Sequence, residues 1–197
     1  NHARGASNVA YTAEIDRFVE AGGTLVLTDR GVSLLAALEN DLVDGIEADD
    51  ITEIERFSAF LSERVGDHPL LADTRPIQRE LWKPAPLGYP ISTPGTAPLT
   101  VVEPATFTAA GGAVAGYTDG TDGSERYVSA GSFTDGDAEI HVVGGLLPPA
   151  HQSSLHPFGM LDYTTNFLGH TMLTNALGFR QRRYVDGESV ATYGSLE

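Results

Sequence analysis

Two short runs constrain the fold more than anything else in the chain. Thr24 to Thr28 (TLVLT) and Glu139 to Gly144 (EIHVVG) carry apolar residues at adjacent positions, and Ile140, Val142 and Val143 are β-branched. Such runs read as strands buried on both faces, so each needs a covering layer above and below the sheet. The neighbouring patterns supply those layers. Tyr11, Ile15, Phe18 and Val19 make one helical face closed by Gly22-Gly23, and Val32, Leu34, Leu35 and Leu38 predict a second helix. Beyond the second run, a loop rich in histidine and proline leads to Leu161, Thr165, Leu168, Met172 and Ala176, one helical stripe that Leu173 and Leu177 widen toward the core. Gly178 stands at its C-terminal cap, with Arg180, Arg182 and Arg183 beyond, at the negative end of the helix dipole.

Between the two runs the pattern changes. Asp50 and Glu53 flank Ile51 as a capping box would, and Ile51, Ile54, Phe57, Leu61 and Val65 predict a helix that Asp67-His68-Pro69 breaks. The prolines from Pro84 to Pro98 predict an ordered crossing loop, because Leu81, Trp82, Leu87, Tyr89 and Ile91 are too apolar for a solvated tether. Strands follow at Leu99–Glu103, Ala113–Thr118, Arg126–Phe133 and Glu139–Gly144, separated by Asp-Gly turns of the kind that join antiparallel hairpins. The expected fold is α/β: a mixed, partly parallel sheet flanked by helices, with an antiparallel back half. Residues 1–10 read as a lead-in, 11–185 as a single α/β domain and 186–197 as a C-terminal tail.

Charge narrows the partners. The net charge is −15, from 27 acidic and 12 basic residues, which repels nucleic acid and anionic lipid, so neither is an expected partner. No run of about 18 apolar residues is present, and no membrane span is expected. Lys83 is the only lysine. An acidic surface almost without lysine resembles those of proteins from salt-loving archaea, where high ionic strength screens self-repulsion. There is no cysteine, which excludes disulfides, thiolate metal sites and a cysteine nucleophile. The start at Asn1 and the presence of only Met160 and Met172 suggest a fragment cut from a longer precursor, or a mature segment.

The sharpest set of chemistry-bearing residues is His151, His156 and His170 with Asp162, since imidazoles and a carboxylate are zinc-ligand types. Their spacing argues against a metal. Asp162 and His170 are roughly 80° apart on a helix, and no H-x-x-E, H-E-x-x-H or H-x-x-E-H motif occurs. Hydrogen-bonded structural histidines are the simpler reading. Asp29 lies just past the carboxyl end of a strand, where α/β folds hold ligands, although an N-cap for a helix beginning near Gly31 explains it with less. Asp119, Asp122, Asp135 and Asp137 read as acidic hairpin turns rather than as a calcium loop. No G-x-S-x-G elbow, phosphate-binding loop or G-x-G-x-x-G is present, so no catalytic residue is assigned. Asp29, His151, His156, Asp162 and His170 remain as ligand-binding candidates.

Tyr11–Asp29 (YTAEIDRFVEAGGTLVLTD), Asp67–Leu71 (DHPLL) and Glu139–Pro148 (EIHVVGGLLP) resemble the back half of glutamine-amidotransferase-like domains, of flavodoxin-like architecture. The family's catalytic cysteine and His-Glu pair have no counterpart, which implies a non-catalytic member of that fold. Gly144–Pro148, His156–Gly159 and the helix from Met160 are similar to the C-terminal regions of secreted zinc carboxypeptidases of halophilic archaea. That resemblance implies an extracellular accessory or binding domain whose partner is a missing N-terminal catalytic domain of the same chain. Any zinc would sit in that missing domain, and no cofactor is expected in this one. The alternative is a small-molecule-binding or hydrolytic α/β domain that uses Asp29 and the 151–162 loop.

Overall fold

A computed structural model describes residues 9–57, 61, 63–74, 77–78, 87–88, 96–120, 122–145, 171–178, 182–185 and 188–191. Helix α1 (Val9–Glu20) turns through Gly22, at a φ of 87° that glycine adopts without strain, into strand β1 (Thr24–Thr28). The helix expected after β1 is present but wound as a 3-10 helix, Asp29–Ala37. β1 pairs in parallel with β9 (Ala138–Val143), Val26 lying opposite His141. The remaining pairings of the main sheet are antiparallel. Its path runs β1, β9, β8 (Arg126–Asp135), β6 (Thr96–Val102), β2 (Ile51–Phe57), with β7 (Ala113–Asp119) beside β8 and the short β3 (Glu63–Arg64) beside β7. The chain is therefore α/β, with a mixed, partly parallel open sheet flanked by helices.

The segment from Ile51 corrects the sequence reading. It is a strand from Ile51 to Phe57, not a helix, and the capping interaction belongs to Glu47 and Asp50, where the Glu47 N–H donates to Asp50 Oδ2 at 2.9 Å. A spacing of three puts two residues on one face of a helix but on opposite faces of a strand. Ile51 packs into one core layer and Ile54 into the other, which a sheet covered on both sides requires.

Those layers are distinct. One face of the sheet carries α1, the 3-10 helix and α2 (Pro104–Ala109) over Leu27, Val128, Phe133, Ile140 and Val142. The other carries the His68–Leu71 turn and a helix at 171–176 (α3), whose Met172 and Ala176 pack against Leu99, Val101, Ala130 and Val143. Two bulges let β7 and β8 serve both: the register passes from Val114–Gly131 to Gly116–Ala130 and then Tyr117–Val128, skipping first Ala115 and then Ser129. Each skipped residue reverses the inside-outside alternation of its strand.

Other expectations meet mixed outcomes. The four late strands form close to their expected limits, and the β8–β9 turn places Gly136 at a φ of 57°. Leu173 and Leu177 do not widen the α3 stripe toward the core: they are 38% and 50% exposed. Gly178 does cap that helix, at a φ of 73° with its N–H on the Asn175 carbonyl. Of the stretch from Pro84 to Pro98 the described residues hold Leu87–Gly88, paired with Ile77–Gln78 as β5 and β4, and Thr96–Pro98, which are not loop but the start of β6, with Pro98 opposite Glu55; later Arg182–Val185 and Glu188–Ala191 pair as β10 and β11. No described helix is long and apolar enough to cross a membrane.

Candidate functional site

Asp29 sits where β1 ends, its N–H donating to the Gly145 carbonyl at 3.2 Å. It is not an N-cap. The 3-10 helix begins at Asp29 itself, after an extended Thr28, and no side-chain cap bond is made. Its φ of 50° is unusual for a residue with a Cβ. His151, His156, Asp162 and His170 lie outside the described residues. Of the hairpin aspartates, Asp122 is occupied by its own turn: Ser124 donates both its N–H and its hydroxyl to Oδ1, at 2.9 and 2.7 Å, and these bonds hold the carboxyl below its usual range.

The sequence reading missed the group that the fold does bring together. His68 comes from the turn that opens Pro69–Leu71, Ser132 from β8, and His141 and Glu139 from β9, with Ser132 paired directly opposite His141. All lie on the sheet face that α3 and the His68 turn cover. The signal was present: a histidine at an inward position of an otherwise apolar strand must find a partner.

The protons are assigned by geometry. Leu70 N–H donates to His68 Nδ1 at 3.1 Å, so the ring hydrogen lies on Nε2 and points at Ser132 Oγ, 3.1 Å away. Burial is the main force pushing the His68 imidazole down to about 4, aided by its neighbour His141, while the Ala113 carbonyl pulls the other way. Burial likewise lowers His141, against the opposing hydrogen bond and charge of Glu139, whose Oε2 lies 3.2 Å from Nε2. His141 Nδ1, buried toward the backbone of Ala176, completes no hydrogen bond among the described residues. Asn175 ties the assembly shut, donating from Nδ2 to the carbonyls of Leu70 and Ala72 at 3.1 and 2.8 Å.

This arrangement holds structure and is poorly made for base catalysis. A general base must accept the serine proton, whereas Nε2 of His68 already carries a hydrogen and its Nδ1 is committed to the backbone. Among the described residues no group of three histidines and carboxylates is placed to hold a metal. A cavity of about 450 Å³ lined by Leu38–Asp41 and Val43–Glu47, including Glu39, Asp41, Asp44 and Glu47, contains none of these histidines.

The half-buried imidazole of His68 has a measurable consequence. A neutral His68 is favoured in the folded state, so the unfolded chain takes up the proton more readily between about pH 6.5 and 4. The stability this group contributes is complete above the unfolded value and is lost as the pH falls toward the folded one. Allowing for solvent screening of a partly exposed ring, the loss should be about 1–2 kcal/mol. In His68→Asn the side-chain oxygen can still cap Leu70 while the titration disappears, so urea melts at about pH 7 and about pH 4.5 should differ less than in the parent. An unchanged difference would assign the pH dependence elsewhere.

Comparison of the chain with protein-family models, with curated proteins and with solved structures finds no match.

Proposed function

We propose that the chain is a non-catalytic accessory or binding domain of a larger, secreted, haloarchaeal zinc carboxypeptidase-like protein, with a glutamine-amidotransferase-like fold and a catalytic domain of the same polypeptide as its partner. The observation that carries this reading is the wiring of His68 and Ser132. The one imidazole–hydroxyl pair among the described residues has its hydrogen on the wrong nitrogen for nucleophile activation and is clamped beneath α3. The acidic, lysine-poor composition and the GGLLP and HPFG segments supply the context. The chain alone, incubated with C-terminal peptide substrates and zinc, is expected to give no turnover, and the gene upstream of Asn1 is expected to encode an H-x-x-E and a later histidine. Turnover by the isolated chain, or an upstream sequence without that motif, overturns the proposal.

One observation favours the alternative, a small-molecule-binding or hydrolytic domain using Asp29 and the 151–162 loop. Asp29 holds a left-handed backbone at the carboxyl end of a parallel strand, and strain of that kind collects at working sites. Asp29→Gly is expected to gain about 1 kcal/mol by relieving it. A variant no more stable than the parent removes the argument.

A further inference from the structure

β1 stands at one end of the main sheet, and no described strand pairs with its outer edge. Among the described residues its only strand partner is β9, and four of its five residues are half-exposed, whereas Ile140 to Val143 of β9 are buried. Glu139 N–H donates to the Gly23 carbonyl, which turns the backbone groups of odd-numbered β1 residues toward β9 and those of Thr24, Val26 and Thr28 outward. An apolar edge of this kind invites another strand, and nothing on it discourages pairing: β1 contains no charge, proline or bulge.

The sequence of the edge says which strand fits. Thr-Leu-Val-Leu-Thr reads the same in both directions about Val26. A two-fold axis at Val26 would set Val26 against Val26, Leu25 against Leu27 and Thr24 against Thr28 of a second copy, antiparallel. The residues whose backbone groups point outward are the ones that such an axis pairs, and each would exchange both its N–H and its C=O with the residue opposite. Side chains match as well, valine meeting valine on one face and leucine meeting leucine on the other. Phe18, which lies over Gly23 and is 53% exposed, adds apolar area at each end.

We propose that two copies of the chain pair through β1 in this register, making one sheet continuous across a two-fold axis. A five-residue ribbon is small beside the roughly 1,200 Å² of a stable interface. Association should therefore be concentration-dependent, and strongest in molar KCl, where the two acidic bodies repel each other least.

The chain lacks cysteine, so single introduced thiols report the register directly. Hydrogen-bonded antiparallel neighbours lie about 5.5 Å apart at Cα, within disulfide reach. Under mild oxidation in molar KCl, Val26→Cys is expected to cross-link to a covalent dimer. Thr24→Cys alone should not, but mixed with Thr28→Cys it should give the heterodimeric cross-link. Val26→Pro, which removes an N–H that the protomer does not use, is expected to return the mass measured by light scattering to that of a monomer while circular dichroism stays that of the parent. A parent chain that remains monomeric at high concentration in molar KCl overturns the proposal. So does a dimer that Val26→Cys fails to cross-link, since another surface would then hold it.

Discussion

The melting temperature should rise by about 10–20 °C between dilute buffer and molar KCl, with most of the gain at the low-salt end. A net charge of −15 confined to one folded body repels itself far more than the same charge spread along an unfolded chain. Molar salt contracts the screening length to about 3 Å from about 30 Å in very dilute buffer, and the differential repulsion it removes is on the order of 5 kcal/mol. For a chain of this size each kcal/mol moves the melting temperature by about 2–4 °C. The described arginine–carboxylate pairs do little to offset the repulsion: Arg17–Glu14, Arg30–Glu53 and Arg126–Glu63 are solvent-exposed, and in Arg64–Asp67, 3.6 Å apart, the carboxylate is fully exposed, and such pairs contribute little. Scanning calorimetry across a KCl series is the measurement. A flat series would mean that the acidic surface is incidental, and would withdraw the salt-loving context on which the proposed function leans.

Phe107→Ala should cost about 3–5 kcal/mol, enough to unfold much of the population in low salt. The ring is fully buried and packs against Phe133 at 4.6 Å between centroids with the planes tilted 51°. Its surroundings are shaped for it. A Cβ on Gly112 would lie 2.4 Å from Phe107 Cε1, and one on Gly131 2.7 Å from Cζ, so glycines on the turn after α2 and on β8 leave the space the ring fills. Because backbone forms those walls, they cannot collapse into the void. Phe107→Leu should recover most of the loss, costing only about 1–1.5 kcal/mol. Denaturant melts in molar KCl, where both variants stay folded, measure the difference. A cost under about 1 kcal/mol for the alanine variant would show that this layer repacks freely.

The anchor at Phe107 was not legible in the sequence, and the reason is physical. Pro104 to Ala109 is too short to show a helical period, and one phenylalanine among threonines and alanines gives no stripe. What fixes α2 lies far away in the chain: Asp50 accepts from the Thr106 hydroxyl at 2.8 Å, and its carbonyl from the Glu103 N–H. The late strands were legible, because Asp-Gly turns punctuate them, and so were α1 and β1. Ile51–Phe57 was misread because a three-residue spacing fits a helix face as well as a strand buried on both sides, and only the second core layer decides between them. Of the candidate site, Asp29 was placed at the end of its strand but given the wrong local role. His68, Ser132 and His141 went unnoticed because their meeting depends on tertiary pairing, not on any spacing along the chain.

Among the described strands of the main sheet β1 comes first along the chain, and its only described strand partner, β9, comes last. On a ribosome, then, Thr24 to Thr28 stays without a ladder on either side until Ala138 to Val143 emerges, and the hairpin of β8 and β9 has to be in place before the parallel pair can close. Pairings this distant along the chain carry a high entropic cost of closure and fold slowly. The chain therefore presents a bare apolar strand from the time β1 emerges until β9 follows it, and this is the stage at which its self-complementary edge is most open to the wrong partner.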